Sequence, residues 1–230
     1  MNGMWIFSLA VLFALADWYA LEHNITWLRY SSKPLVIVAL GAWLLVQPID
    51  YSILIWYFLA LLFSLIGDVW LLAPPRFFMV GLVSFLLAHV SYIIAFNRHD
   101  LPPFTWPVVL LASFFIGLGV FILPLLIINI RKRAGTRKLQ GAVLTYYTIL
   151  SLMAFSATST LFRPAWEQPT AALVAAGGLL FFFSDFMLAF DRFIRPVKHG
   201  RLIVHITYHL GQFGLMLGAV WQLLITTFTG

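Results

Sequence analysis

The stretch ALLFSLIGDVWLLAPP, residues 60–75, decides how this chain is read. It places Asp68 inside an apolar run from about residue 51 to 73, and about 20 apolar residues in a helix suffice to cross a bilayer. A charged side chain at the centre of such a helix costs roughly 2.5–3.5 kcal/mol to insert, so Asp68 is expected to face protein or water rather than lipid. Working outward, Asp185 stands the same way in GGLLFFFSDFMLAF, residues 177–190, preceded by Ser184 as Asp68 is preceded by Gly67. Two carboxylates on separate apolar helices are the strongest reason to look for chemistry.

The surrounding chain has the same character. Of its 230 residues 62% are hydrophobic and 10% charged, and mean hydropathy is +0.96, which marks an integral membrane protein. Eight apolar segments can be drawn, at about 4–21, 34–46, 51–73, 77–96, 106–128, 140–161, 170–190 and 203–228. The second is short for a span, but the charges require it. With eight crossings, 12 of the 14 Lys and Arg fall in odd-numbered connections, leaving only Arg98 and Arg163 in the even ones. That split follows the positive-inside pattern and puts both termini outside the cytoplasm. The connections are short, so the expected fold is all-α: a polytopic bundle of eight transmembrane helices, one domain over residues 1–230.

Several function classes drop out. There is no cysteine, which removes thiol catalysis, disulfides and thiolate metal sites. The net charge of +6 comes from residues placed between apolar segments, which indicates membrane orientation and no nucleic acid partner. The N-terminal MNGMWIF lacks a basic n-region, so the first segment is expected to remain as a spanning helix. No GxSxG occurs, and Ser64 has no identifiable base. RKRAGTRK, residues 131–138, reads as an orientation signal that also touches anionic headgroups. The fifth segment, with Gly117, Gly119 and Pro124, carries no ionisable group and reads as structural, bent or closely packed at those positions.

Depth sorts the polar residues. Asp68 and Asp185 each fall about five residues before the cytoplasmic end of their helix, roughly 7 Å below one surface at 1.5 Å per residue. Asp17 lies near that surface on the first helix and Lys33 at the start of the second, where Pro34 suits a first helical position. His205, Tyr208, His209 and Gln212 follow an i, i+3, i+4, i+7 pattern on one face of the last helix. His89, Tyr92, Tyr146 and Tyr147 point to the same layer from somewhat deeper. A cavity open to the cytoplasmic leaflet is expected. Each residue also has a plainer reading: the two central aspartates as polar glue between helices, Asp17 facing headgroups, Lys33 snorkelling, His89 bridging two helices. His205 and His209 share a face that would suit a metal, but no HExxH or acidic triad accompanies them, so neither a metal nor a cofactor is expected.

SSKPL at 31–35, GDVWL at 67–71, GLVSFLLAHVSYI at 81–93, FFFSDFMLAFDRF at 181–193 and YHLGQFGL at 208–215 together resemble the YhhN family, whose characterised members are lysoplasmalogenases. The resemblance implies an eight-helix enzyme of a bacterial inner membrane. Its substrate would be a lysolipid drawn from the surrounding membrane lipids, cleaved at the vinyl ether bond to a fatty aldehyde and glycerophosphoethanolamine or glycerophosphocholine. Such a bond breaks by protonation of its outer alkene carbon, addition of water to the oxocarbenium ion and collapse of the hemiacetal. Two buried carboxylates can divide that work, one protonated and one ionised. Asp68 and Asp185 are expected to take these roles, with Asp17 and His209 tuning protonation. Lys33 would draw in the phosphate, and His89, Tyr92, Tyr146, His205 and Tyr208 would line the substrate site. The chain would lie among Phe181, Phe182 and Leu86. Two other classes stay open: a small-solute or proton-coupled transporter, and a structural protein whose polar residues only join helices. Against transport, the ionisable groups gather near one face.

Overall fold

The computed structural model describes residues 2–98, 100–132 and 139–229, so Arg133, Arg137 and Lys138 of the charge split lie outside the described residues. Eight long helices are described: α1 Met4–Glu22, α2 Thr26–Leu45, α3 Tyr51–Leu72, α4 Phe78–Asn97, α5 Trp106–Arg131, α6 Leu139–Ser159, α7 Gln168–Phe193 and α8 Gly200–Thr229. Short 3-10 turns at Pro75–Phe77 and Thr160–Phe162 lie between α3 and α4 and between α6 and α7. Seven of the helices are long and apolar enough to cross a membrane. Their outward positions, among them Leu12, Val69, Ile116 and Phe121, are exposed and apolar, as lipid contact requires. The chain is a multi-pass, all-helical membrane protein.

The helix outside those seven is α2, and it differs from the sequence expectation. Rather than starting at Pro34, it begins at Thr26 and runs through Pro34 to Leu45. Its 20 residues span about 30 Å, the length of its neighbour α1. At the far end Gln47 holds the segment before α1, donating from Nε2 to the Asn2 carbonyl at 2.9 Å and accepting the Asn2 amide at 3.1 Å. What hides α2 from hydropathy is Arg29 and Lys33, both within the helix, the latter buried.

Helices alternate in direction. The starts of α2, α4 and α8 and the ends of α3 and α7 all contribute to one cavity, lined by Arg29, Lys33, Leu72, Phe78, Arg192 and Arg201 among others. The most extensive pairing joins α7 to α8, followed by α3 to α4 and α1 to α2, while α5 packs on α6 and more lightly on α7. Glycines set the α7–α8 distance: a Cβ on Gly177 would stand 2.5 Å from the Leu215 amide nitrogen, and one on Gly214 2.9 Å from the Gly177 Cα. Such backbone contact is how helices associate without a hydrophobic drive between them. On α5 the expected close packing holds at Gly119 alone, since a Cβ on Gly117 would meet open space.

Two further differences bear on the site. Helix α7 continues to Phe193, carried past the apolar run by Arg192, whose guanidinium lies 3.7 Å from the centre of the Phe78 ring. Asp185 is therefore eight residues from its helix end and Asp68 four from its own, about 12 and 6 Å along the axes rather than equal depths. At the opposite end Arg163 is fully buried, donating to the carbonyls of Phe96 at 2.7 Å and Asp100 at 2.6 Å, to Asn97 Oδ1 at 2.9 Å and to Ser159 Oγ at 2.8 Å. Those bonds join the end of α4 to the end of α6.

Candidate active site

Asp68 is completely buried on α3. Its Oδ1 pairs with Lys33 Nζ of α2 at 3.1 Å, and its Oδ2 accepts the Tyr208 hydroxyl of α8 at 2.8 Å. Gly67 brings α3 against α4 here, because any Cβ on it would sit 2.6 Å from the Phe85 ring. Tyr92 extends the network by donating to Gln212 Oε1, and Gln212 Nε2 donates to Ser64 Oγ at 3.0 Å. Lys33 thus does not snorkel: it turns inward to the carboxylate, and its ammonium lies 5.8 Å from the centre of the Tyr208 ring.

Asp17 is also fully buried, not turned to headgroups, with Oδ2 2.6 Å from His205 Nδ1. One turn along α8, His209 Nδ1 accepts the Trp18 indole N–H at 3.0 Å. That bond assigns the ring proton of a neutral His209 to Nε2, which is buried without a protein partner, as is Asp17 Oδ1. The i, i+3, i+4, i+7 face of α8 therefore meets α1, α3 and α4 with a polar contact at each position and two at Gln212.

Asp185 belongs to a different network. Its Oδ2 accepts the Tyr146 hydroxyl of α6 and lies 3.0 Å from His89 Nε2 of α4, which is itself 3.1 Å from the Tyr146 oxygen. His89 Nδ1 is buried without a hydrogen-bond partner among the described residues. The Phe181 ring packs on both networks, with its centre 4.8 Å from that of His89 and 5.2 Å from that of Tyr208. Phe85 adds a second edge-on contact to Tyr208 at 5.7 Å. Asp68 and Asp185 are thus joined through two phenylalanines, each carboxylate with its own cation or imidazole and its own tyrosine.

Two adjoining cavities reach these networks. A polar one of about 360 Å³ is lined by Arg29, Lys33, Asp191, Arg192, Arg201 and His205. An apolar cleft of about 50 Å³ is lined by Asp185, Tyr146, Phe85, Phe182 and aliphatic residues of α4 to α7. Leu71, Phe78 and Leu188 wall both. Among the described residues no group of three or more His, Cys, Asp or Glu is gathered in a way that would hold a metal ion.

Several participants are not singled out by the sequence alone. Trp18 is one more aromatic near a helix end, and Arg29, Arg192 and Arg201 count among the orientation charges. Gln212 was on the right face, but nothing in the sequence paired it with Tyr92 and Ser64. A glutamine in mid-helix, seven residues after His205, was the one available signal.

Fold and site together define a polytopic helical membrane protein that buries two carboxylates, Asp17 and Asp68, and half-buries a third, Asp185, near a basic cavity at one end of its bundle. The chain belongs to the YhhN family, whose model matches residues 28–219. It is 29% identical over 170 residues to lysoplasmalogenase TMEM86A of Bos taurus, covering 71% of this chain and 64% of that one. To lysoplasmalogenase TMEM86B of Homo sapiens it is 28% identical over 217 residues, 94% of this chain and 84% of that one. The membrane protein YhhN of Escherichia coli O157:H7, which has no characterised function, is 26% identical over 216 residues, 91% and 96% of the two chains. The chain spans less than two thirds of the bovine relative and 58% of a porcine lysoplasmalogenase TMEM86B. No solved structure matches it.

Proposed function

We propose that this protein is a membrane-embedded hydrolase that cleaves the vinyl ether bond of lysoplasmalogen, releasing a fatty aldehyde and glycerophosphoethanolamine or glycerophosphocholine. In this reading all eight helices cross a bacterial inner membrane, with both termini outside the cytoplasm. The observation that carries it is the pair of adjoining cavities. One is basic and polar and the other apolar with a carboxylate in its wall, the two ends of a lysolipid in the order that puts its vinyl ether at the join. Relatives named lysoplasmalogenase support the same substrate class.

The chemistry divides between the networks. The lipid phosphate enters the polar cavity beside Arg29, Arg201 and Lys33. The proton held between His89 Nε2 and Asp185 Oδ2 passes to the outer alkene carbon, leaving an oxocarbenium ion. Asp68, ionised against Lys33, stabilises that cation across the Phe85–Phe181 step. A water oriented by the Asp17–His205 pair adds to the carbon bearing the oxygen and passes its proton to that pair, and exchange with solvent through the cavities then frees the pair and returns a proton to Asp185–His89. The hemiacetal then collapses to aldehyde and alcohol. One water is consumed and no other reagent is needed. Transport is less well supported, because the cavity bearing Lys33, Arg29 and Arg201 sits at one end of the bundle, while Arg163 at the other is tied to backbone carbonyls.

The test is to offer purified protein lysoplasmalogen and an acyl lysolipid of the same headgroup, following free aldehyde and free fatty acid separately. Aldehyde release from the first substrate supports the proposal. Fatty acid release alone would move the reaction to ester hydrolysis, and neither product would return the carboxylates to a structural role.

A further inference from the structure

The apolar cleft beside Asp185 is too small for what the proposed reaction would put there. Its volume is about 50 Å³, whereas an apolar cavity needs on the order of 150 Å³ to hold even a benzene ring. A long hydrocarbon chain must therefore leave the cleft through one of its walls. The wall that offers space is the α5–α6 side, where a groove of about 620 Å³ runs along the lipid-facing surface between Phe115, Ile116, Gly119 and Leu123 of α5 and Ser151 and Phe155 of α6.

Tyr147 lines both the cleft and the groove. Its ring stands edge-on to Phe182 at 6.0 Å between centres, and its hydroxyl donates to the Phe115 carbonyl at 3.2 Å, tying α6 to α5. Gly119 makes room for that ring, since a Cβ there would lie 2.9 Å from Tyr147 Cε1. Helix α5 packs lightly on the rest of the bundle and carries Pro124 within it, so its contact with α6 is the one most easily spread.

Resting on the lysolipid reading above, we infer that the hydrocarbon chain of the substrate runs from Asp185 past Tyr147 into the α5–α6 groove, with Tyr147 as a gate that sets which chain lengths are accepted. The occupant is a single lipid chain rather than a second protein: the groove is continuous with a carboxylate-bearing cleft through one side chain, and it opens where lipid tails already are. Helix α5, which the sequence marks as purely structural, becomes the specificity wall.

The test uses full-length protein in lipid nanodiscs with lysoplasmalogens of 8 to 18 chain carbons. In Gly119→Leu the new side chain fills the groove and pushes on Tyr147, and the ratio of kcat/KM for the longest to the shortest substrate should fall at least about tenfold, as expected from losing burial of several methylenes. Tyr147→Ala should widen acceptance, raising turnover on branched or bulkier chains, while Tyr147→Phe keeps the length profile. An uncleavable alkyl ether lysolipid with a diazirine at the chain end provides a readout independent of turnover and of any variant's folding. Crosslinks to Ile116, Leu123 or Ser151 in the unmodified protein support the path. Crosslinks confined to other helices, or an unchanged length profile in folded G119L, overturn it. Crosslinking in the groove without aldehyde release would sink the hydrolase reading and leave the chain path standing.

Discussion

Replacing Lys33 by methionine isolates the interaction at the centre of the site. The ammonium sits 3.1 Å from Asp68 Oδ1, with the two side chains 7% and 0% exposed. At an effective dielectric of about 20 that separation corresponds to roughly 5 kcal/mol of attraction, and losing one partner of a buried pair typically costs about 3–5 kcal/mol. The loss is capped because Asp68 can neutralise itself. Binding a proton at pH 7 to a carboxyl of ordinary pKa costs about 4 kcal/mol, so K33M should be destabilised by about that much. The sign of its pH dependence follows. Folded K33M holds a proton on Asp68 that the unfolded chain releases at neutral pH, so its stability falls as pH rises, by about 1.4 kcal/mol per unit. Unfolding in mixed micelles should show a deficit against wild type that shrinks as pH falls from 7.5 to 5.5. The double variant K33M/D68N should recover most of it. An equal deficit at both pH values, or a double variant no better than K33M, would refute the reasoning.

Two other outcomes are expected. Arg163→Met removes the buried donors joining α4 to α6 and should cost at least about 3 kcal/mol, while turnover per folded molecule stays unchanged because that network lies at the far end; loss of turnover in the folded fraction would contradict this. Reporters fused at Gln47, Ala134 and the C-terminus should report a cytoplasmic location at Ala134 alone, and a cytoplasmic C-terminus would break the eight-crossing arrangement.

Much of the fold was legible because lipid and protein core make the same demand. A side chain facing either is apolar, so seven helices announce themselves as uninterrupted runs, and a carboxylate among them stands out. The failure at α2 has the same cause. Arg29 and Lys33 lower its hydropathy because they turn toward the polar cavity and Asp68, and Pro34 is tolerated in mid-helix. Within the site, residue types were readable but pairings were not. That Lys33 meets Asp68 and His89 meets Asp185 depends on which helices are neighbours, which for α7 and α8 rests on Gly177 and Gly214. Trp18 is invisible in the sequence for a simpler reason. In a chain with 17% aromatic residues, one more ring carries no signal until its neighbours are known.

In the proposed reaction the proton shared by Asp185 and His89 is delivered to the outer alkene carbon of a lysolipid. Turnover in deuterated water, with the aldehyde trapped at once by reduction to the alcohol, measures this directly. One deuterium is expected on the carbon next to the former carbonyl, with a fall in rate of at least about a hundredfold in folded D185N, the scale of a lost general acid. Aldehyde without deuterium at that carbon, or full turnover in D185N, would contradict it.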